Sequence, residues 1–471
     1  MKIKRCFYVL LALLFATTLL ACGEDNNSNN GGNNWVAPST PMQICVGSES
    51  TWYYQDVLDQ YVEDNNLPFT IEVTGVDTGS YADTFLLDPE AGADIFVAAH
   101  DNLGKLLEGA GSIAPIEDED LIDQIDETVD PEFQDVVYIA AGGGQARYYA
   151  VPIIRQSLVL YYNKAYFSDA SECDTWEEIL KVAKDNNKLA VAYTGNDGFN
   201  YSHWLLAQPA NTAAKNAFGN KGSLQLYKNG LWANNMLYGD DQVAITKYAQ
   251  EFTANANGRK GEVVGQNTWE SELKNNQVIT VIGGAWNVGS IESVLGKGGY
   301  GITVLPKFTL KSSHAYGTAK ANMQFQSGSF YDVKCLMKKK GSAYAPFLDE
   351  IMMFLASDEI QEGSYINCNN LPASMNVDLE SDEVSAINIE LAKAQIAQGE
   401  AAGIPQPFGY DPLFNPAYYG KASTYFVELH QNLDGDFTSK ANILARLKYI
   451  SYILAKNEIP TSQSEVDKWA K

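Results

Sequence analysis

The stretch MQICVGSES at residues 42–50 is an apolar run that stops at a polar turn, which is the pattern of a buried strand. Residues 51–65 follow it with apolar side chains at helical spacing. A second strand-like run covers residues 69–76, a third (ADIFVA) covers residues 93–98, and a short helix is predicted at 102–109. Strands and helices that alternate at this spacing predict an α/β fold with a mainly parallel sheet.

The rest of the chain continues this alternation and then becomes mostly helical. A helix over residues 176–186 is opened by Asp174 and Thr175, with Glu177 and Glu178 in its first turn, where the helix dipole favours them. The other predicted elements are strands at 148–154, 158–162, 189–193, 278–283 and 300–305, and helices at 288–295, 344–355 and most of the chain from 386 onward.

The first 21 residues have the features of an export signal. Lys2, Lys4 and Arg5 precede an apolar run over residues 6–20, which is too short to span a bilayer comfortably, and Cys22 follows it. The ending Leu-Leu-Ala-Cys resembles a bacterial lipobox, in which the cysteine becomes the diacylated first residue of the mature protein. An ordinary cleaved signal peptide and an uncleaved anchor are the alternatives. The prediction is a signal peptide at 1–21 and a lipid anchor on the cysteine.

The segment behind the predicted anchor indicates a spacer. Residues 23–34 contain Gly, Asn, Asp, Ser and Glu with no apolar side chain to bury, so residues 22–41 are expected to form the lipidated cysteine and a flexible tether. The predicted location is therefore extracytoplasmic and lipid-anchored to a bacterial membrane, either periplasmic or at the cell surface.

The chain is strongly acidic, with a formal charge of −25. Removal of the predicted signal peptide lowers the basic residues from 33 to 30 against 58 acidic ones, which gives about −28. Such a surface disfavours nucleic acid and anionic lipid, and it suits a neutral or a cationic ligand.

Catalytic and metal-binding patterns are absent from the sequence. There is no His-Glu-x-x-His pair, no G-x-S-x-G elbow and no Walker loop. The run GKGGYG at 296–301 matches G-x-G-x-x-G, but it follows a helix and precedes a strand, so a simple turn is predicted. Cys45, Cys173, Cys335 and Cys368 lack CxxC spacing, which leaves disulfides or free thiols open. We expect a protein that is not an enzyme and has no metal and no cofactor.

Aromatic residues follow several of the predicted strands. Trp52 and Tyr53 follow the first strand, Tyr201 and Trp204 follow a later one, and Trp286 ends the next. Ligands of open α/β sheets collect at the carboxyl ends of strands, and flat rings beside polar groups suit the C–H face and hydroxyls of a sugar. Core packing explains any single ring equally well, whereas a shared cleft explains the set better.

Five motifs in order resemble those of the maltose-binding-protein group of extracellular solute-binding proteins, the receptors of ABC sugar importers. The similarity extends over about residues 42–465. The motifs are ADIFVAAHD at 93–101, YAVPI at 149–153, LYYNK at 160–164 with TWEEI at 175–179, GGAW at 283–286, and YGITVLP at 300–306.

The resemblance implies the two-lobed type II fold of periplasmic binding proteins, with discontinuous α/β lobes, hinge crossings and a ligand held between the lobes. The crossings are expected near 155–158, 305–307 and 377–385. Lobe one is expected to comprise 42–155 plus 306–378, and lobe two 156–305 plus 379–465.

The resemblance also implies roles for individual residues. Asp101 matches a carboxylate that accepts sugar hydroxyls, and Gln156 stands where a glutamate does the same. Tyr201 matches a tyrosine that lines the cleft, and Trp286 matches a tryptophan that stacks on a sugar ring.

Two departures from the group's pattern point away from maltose itself. Ala98 replaces a stacking tryptophan, and Asn102, which is also expected at the ligand, replaces an arginine that organises maltose binding. The late aromatic wall of the family is expected to be supplied by residues near the C-terminus, namely Phe408, Tyr410, Tyr418 and Tyr419.

The resulting hypothesis is a monomeric receptor that captures a neutral oligosaccharide and hands it to the membrane permease of an ABC importer. A receptor of the same fold for a cationic solute such as a polyamine is the first alternative, favoured by the charge near −28. A surface glycan-binding or sensor lipoprotein without a permease is the second.

Overall fold

The computed structural model describes residues 35–108, 111–141, 144–193, 198–200, 202–210, 239–255, 269–314, 321–405, 417–432 and 435–470. Its strands are β1 Met42–Gly47, β2 Ile71–Val76, β3 Ile95–Ala99, β4 Tyr138–Ile139, β5 Arg147–Tyr148, β6 Val151–Ser157, β7 Val159–Asn163, β8 Gln208–Pro209, β9 Thr280–Gly283, β10 Tyr300–Thr303, β11 Lys307–Thr309, β12 Gln324–Gln326, β13 Ser329–Lys338 and β14 Gly403–Pro405. The α-helices are Thr51–Asp64, Tyr81–Leu87, Leu103–Leu106, Glu119–Thr128, Pro131–Asp135, Trp176–Asp185, Ser202–Leu205, Asp240–Asn255, Trp269–Lys274, Val288–Leu295, Leu348–Leu355, Asp358–Cys368, Ala386–Ala402, Ser423–Gln431, Lys440–Lys456 and Gln463–Trp469.

The larger sheet runs in the order β14, β13, β3, β1 and β2, with β6 paired to β13. β1 pairs in parallel with β2 and β3, whereas β13 runs antiparallel to β3 and β6. Every residue of β3 is buried, as expected for a strand whose sheet is covered by helices on both faces. This sheet and its helices form lobe one, and they have the α/β architecture that the sequence predicts.

Lobe two is built on two small sheets and several helices. One sheet has the order β10, β7, β9, and the other has the order β11, β12, β8. Its core contains the large side chains of Trp176, Trp204, Phe252 and Phe308. The strand predicted at 189–193 forms only isolated parallel bridges to β9 and its flank, so it is shorter and less regular than its apolar sequence suggests.

The chain passes between the lobes where the hydrophobic cores change. Ile154 packs in the core of lobe one and Leu158 in that of lobe two, so the core changes between these two residues. The strands β11 (Lys307–Thr309) and β12 (Gln324–Gln326), which the sequence assigns to lobe one, pair with each other, and Phe308 and Phe325 pack in the core of lobe two. The return to lobe one lies within β13, between Phe330 and Tyr331.

Hydrogen bonds join the crossing segments to each other. The Ser157 N–H donates to Gln395 Oε1 at 3.0 Å, and the Leu158 N–H donates to Ser329 Oγ at 3.1 Å. Three separate stretches of chain therefore meet at one hinge between the lobes.

Two local predictions agree with the structure at the level of individual residues. Thr175 caps the helix Trp176–Asp185 in a capping box with Glu178. The glycine-rich run at 296–301 is a turn from the helix Val288–Leu295 into β10, and Gly296 and Gly298 adopt φ values of 77° and 82° that favour glycine.

The remaining global features concern the cysteines and the membrane. Cys45, Cys173, Cys335 and Cys368 are free and buried. Within the described ranges no helix combines the length and the apolar character that a membrane crossing needs. The predicted signal peptide, Cys22 and most of the tether lie outside the described residues.

Candidate functional site

A cleft of about 610 Å³ lies between the two lobes. Most of its lining comes from lobe one, and three aromatic residues come from lobe two. The lining residues are Val46, Gly47, Ser48, Glu49, Ser50, Tyr54, Val76, Asp77, Thr78, Gly79, Asp83, Val97, Ala99, Asp101, Ile154, Gln156, Phe199, Trp286, Asp332, Lys334 and Tyr419.

The lobe-one rim of the cleft follows the carboxyl ends of β1, β2 and β3, the edge at which open α/β sheets bind ligands. Glu49 lies in the turn after β1, and Asp77 lies directly after β2. The Asp77 carboxylate accepts the N–H of Gly79 and the hydroxyl of Ser80, both at 3.0 Å, which fixes its position. The rim therefore presents carboxylates held by local turns.

Asp101 is positioned by the residue that follows it. The short 3-10 helix His100–Asn102 begins directly after β3 and places the Asp101 carboxylate in the lining of the cleft. Asn102 is fully buried, and its Nδ2 donates to Ala99 O at 3.0 Å and to Asp101 Oδ1 at 3.1 Å. Asn102 is thus a support beneath Asp101, since it is not among the residues that line the cleft.

The floor of the cleft is formed by β6 and β13. Their antiparallel register places Gln156 opposite Asp332 and Ile154 opposite Lys334. Gln156 is only 5% exposed, and its Oε1 is buried without a hydrogen-bond partner. A buried unpaired acceptor is costly by about 1–3 kcal/mol, and a ligand hydroxyl in the cleft would satisfy it.

A buried ion pair joins Lys334 and Asp332 in this floor, with Nζ and Oδ2 2.9 Å apart. Burial alone would raise the pKa of Asp332, but Lys334 and His100 together outweigh it and lower the pKa to about 2. Burial alone would lower the pKa of Lys334, and Asp332 likewise outweighs it, so that pKa is raised. Both groups are therefore charged at neutral pH.

The lobe-two wall of the cleft consists of Trp286, Phe199 and Tyr419. Trp286 is 42% exposed, and its ring centroid lies 5.9 Å from that of Phe199. Its turn is fixed by the Tyr161 hydroxyl, which donates to Gly284 O at 2.7 Å, and by the Gly284 N–H, which donates to the side chain of Asn287 at 3.1 Å.

Gly284 also leaves room for the Trp286 ring. A Cβ at Gly284 would lie 2.2 Å from Cη2 of that ring, so only glycine permits the ring to fold back over the turn. The GGAW motif at 283–286 therefore has a packing reason as well as a ligand-facing side chain.

The structure brings together Asp101, Gln156, Trp286 and Tyr419 of the sequence-predicted set. Tyr201 lies outside the described residues, as do Phe408 and Tyr410. The other predicted residues lie elsewhere.

Three of those others are buried within the protein, and the fourth is exposed outside the cleft. Trp204 is 1% exposed in the core of lobe two. Tyr53 is buried, and its hydroxyl donates to Ile360 O at 2.9 Å. Tyr418 is buried, and its hydroxyl donates to Gly198 O at 2.7 Å. Trp52 is 58% exposed on the helix Thr51–Asp64, outside the lining of the cleft.

Sequence reasoning missed several lining residues. Glu49 and Asp77 directly follow predicted strands, so their position was a usable signal. Asp332 and Lys334 stand two apart in the middle of a strand that is mostly apolar, and buried charges are unusual. Phe199 carries no comparable signal. In the described part of the chain no group of three or more His, Cys, Asp or Glu side chains is arranged to hold a metal ion.

Known proteins resemble this chain over most of its length. The family described as bacterial extracellular solute-binding protein matches residues 56–392. Two relatives from Streptococcus pneumoniae, strains R6 and TIGR4, are each named maltooligosaccharide ABC transporter solute-binding lipoprotein. Each is 25% identical over 337 residues, which cover 68% of this chain and 69% of the relative.

Solved structures share the same fold. A maltodextrin-binding protein, MalE1 of L. casei BL23 without ligand, superposes with a TM-score of 0.68 at 17% identity, covering 89% of this chain and all of that one. The maltose-binding periplasmic protein MalE of Listeria monocytogenes, in complex with maltose, gives 0.64 at 18% identity, covering 89% and 99%. The two-lobed type II fold expected from the sequence is confirmed.

Proposed function

Because this chain belongs to the bacterial extracellular solute-binding protein family, we propose that it is the receptor of an ABC importer, which captures a neutral oligosaccharide between its lobes and delivers it to a membrane permease. The names of the two pneumococcal relatives support an oligosaccharide as the ligand. The protein works by capture and release, as a solute-binding protein rather than as an enzyme.

The observation that carries the proposal is the chemical division of the cleft. Lobe one presents Asp101, Gln156 and further oxygen acceptors, whereas lobe two presents the rings of Trp286 and Tyr419. A pyranose has an apolar C–H face and a rim of hydroxyls, so it matches both walls at once. Gln156 Oε1 and the Asp101 carboxylate accept hydroxyl protons, while Trp286 packs on a ring face.

This division also explains how binding closes the protein. A ligand shifts an open-closed equilibrium only by its differential affinity for the two states. Stacking on lobe two and hydrogen bonding to lobe one are satisfied together only when the lobes approach each other about the hinge at Ser157, Ser329 and Gln395.

The proposal includes the protein's place in the cell. We expect diacylated Cys22 to hold a monomer at the outer side of a bacterial membrane, with residues 22–41 as the tether, and the closed form to dock on the permease. Mass spectrometry of the purified membrane fraction tests the anchor. A mature N-terminus without a diacylglyceryl group on Cys22 would overturn this part.

The ligand is tested with the mature chain carrying Cys22→Ala, which omits only the lipid. Thermal shift against maltooligosaccharides of two to seven units, cello- and xylo-oligosaccharides, glucose and spermidine identifies binders, and calorimetry then measures Kd. Ligand at one hundred times Kd adds about 2.7 kcal/mol, a shift of a few degrees. A response to one oligosaccharide series supports the proposal, and silence across every saccharide contradicts it.

One observation favours a cationic solute as a second candidate ligand. The lining includes the carboxylates of Glu49, Asp77 and Asp101, which would attract an ammonium, and an aromatic wall can pack on it. Salt separates the candidates, because affinity for a polyamine falls as ionic strength rises, whereas affinity for a neutral sugar stays nearly constant.

A further inference from the structure

Lys334 is the only lysine or arginine among the described residues that line the cleft. We infer that Lys334 is a ligand-binding residue, which donates a charged hydrogen bond to an acceptor oxygen of the bound saccharide and thereby selects against cationic solutes. The inference rests on the proposed function and adds a residue that lies outside every motif of the sequence resemblance.

The sheet register places Lys334 in the floor. β13 lies between β3 and β6, and Lys334 faces Ala99 on one side and Ile154 on the other. All three of these residues line the cleft. Val333, whose side chain points to the opposite face of the strand, is fully buried in the core of lobe one.

An irregularity in the strand pairing lies immediately beyond this position. Lys334 pairs with Ile154 but Cys335 pairs with Pro152, so Ile153 is left out of register. Such a bulge bends a strand locally and is a common way to redirect a side chain beside a site. Pro152 has no N–H to donate, which makes the interruption inexpensive here.

Lys334 adds a charged donor to a lining whose other side-chain donors are neutral hydroxyl, amide and indole groups. The carboxylates of Glu49, Asp77, Asp101 and Asp332 only accept hydrogen bonds when ionised. The ring and glycosidic oxygens of a saccharide also only accept, so these carboxylates cannot bind them. Lys334 has three N–H donors, and its ion pair with Asp332 Oδ2 uses one.

The pair also fixes the charge of the floor. Asp332 holds the ammonium in place and cancels its charge at long range, so the floor is neutral as a whole, and the Lys334 side chain is 12% exposed against 7% for Asp332. A cationic ligand would have to place its own charge beside the ammonium, which opposes binding.

The alternative is that the pair only stabilises the strand, and the same strand offers a matched control. Lys338 is similarly buried, is ion-paired with Asp349, and does not line the cleft. Lys338→Met therefore removes an equivalent buried charge without touching the proposed site.

Calorimetry with maltotriose on the mature Cys22→Ala chain tests the assignment. Lys334→Met is expected to raise Kd at least about tenfold, the usual effect of losing a charged hydrogen bond, whereas Lys338→Met stays within about twofold. The double variant Asp332→Asn/Lys334→Met leaves no unpaired carboxylate in the floor, and it is expected to bind as weakly as the single variant.

The possible results are distinct. If Lys334→Met binds maltotriose as tightly as the parent, Lys334 is structural and only this inference fails. Recovery of affinity in the double variant would likewise overturn it, because the loss would then come from the unpaired Asp332. If the parent responds to another oligosaccharide series in the thermal-shift panel, the same variants are compared with a trisaccharide of that series, and a parent that binds no saccharide of the panel removes the proposed ligand and this inference with it. Tighter spermidine binding by Lys334→Met than by the parent supports the selection against cations, and unchanged spermidine binding contradicts it.

Discussion

Trp286→Ala tests whether the aromatic wall binds the ligand, and its effect can be worked out from the structure. The residue is 42% exposed, and an aromatic side chain buries about 150–250 Å² when fully covered, so at most about 100 Å² remains for a ligand. Covering that area contributes about 2.5 kcal/mol at about 25 cal/mol per Å², and covering half contributes about 1.3. Kd should therefore rise about tenfold to sixtyfold, which calorimetry with maltotriose measures directly.

The matched control is Trp52→Ala, because Trp52 is another exposed tryptophan, at 58%, that lies outside the lining of the cleft. It should change Kd by less than about twofold, and neither variant should alter the fold, since both rings are partly solvated. A Trp286→Ala protein that retains its affinity while folding normally would refute the stacking argument. An equal loss in both variants would refute the choice of cleft.

Substitution of Gly284, substitution of Gln156 and a change of pH should each have a measurable effect. Gly284→Ala should weaken sugar binding about as much as Trp286→Ala does, because the new Cβ would occupy the place of the Trp286 ring. The control is Gly289→Ala, which has open space around its Cβ and should bind normally in the same calorimetric assay. Gln156→Leu should raise Kd by about threefold to tenfold without lowering the thermal midpoint, since its buried Oε1 has no protein partner to lose; a midpoint that falls with the affinity would contradict this. Burial lowers the pKa of both His203 and His430 to about 3, so only the unfolded chain takes up protons at these residues as the pH falls below about 6.5. The free energy of unfolding, measured by urea titration, should therefore fall by up to about 2.7 kcal/mol per pH unit towards pH 3. A free energy of unfolding that stays constant from pH 7 to pH 5 would contradict this prediction.

The alternating part of the fold was predictable because its signals are local. The strand at 42–50, the helix at 51–65 and the helix opened by Thr175 depend on apolar periodicity and capping, which neighbouring residues determine. The position of the second crossing between the lobes does not depend on local sequence signals. β12 pairs with both β11 and β8, and Phe308 and Phe325 pack in the core of lobe two, yet no pattern in the sequence of these strands states which lobe will receive them.

The site was only partly predictable for a related reason. Trp204 and Trp286 both follow strands, yet one fills a core and the other faces the cleft, and the difference arises from neighbours distant in the chain. Lys334 reaches the floor through its register with β6 and β3, which sequence spacing does not define. Motif resemblance found Asp101 and Gln156 because their places depend on strands that the motifs include.

The net charge of the chain therefore says less about the ligand than the sequence suggests. The formal charge of −25 is distributed over the whole chain, and at physiological salt each charge acts only within about 8 Å. Inside the cleft the balance is local: Glu49 and Asp77 lie at the rim, while the Asp332–Lys334 pair lies in the floor. Ligand hydroxyls can donate hydrogen bonds to the rim while ether oxygens accept hydrogen bonds from the floor, and this arrangement orients a neutral saccharide. A charged polyamine has only donors, so it cannot accept a hydrogen bond from the floor. The acidic surface and the neutral ligand are thus compatible, because the ligand contacts the charged groups of the cleft and not the net charge of the whole molecule.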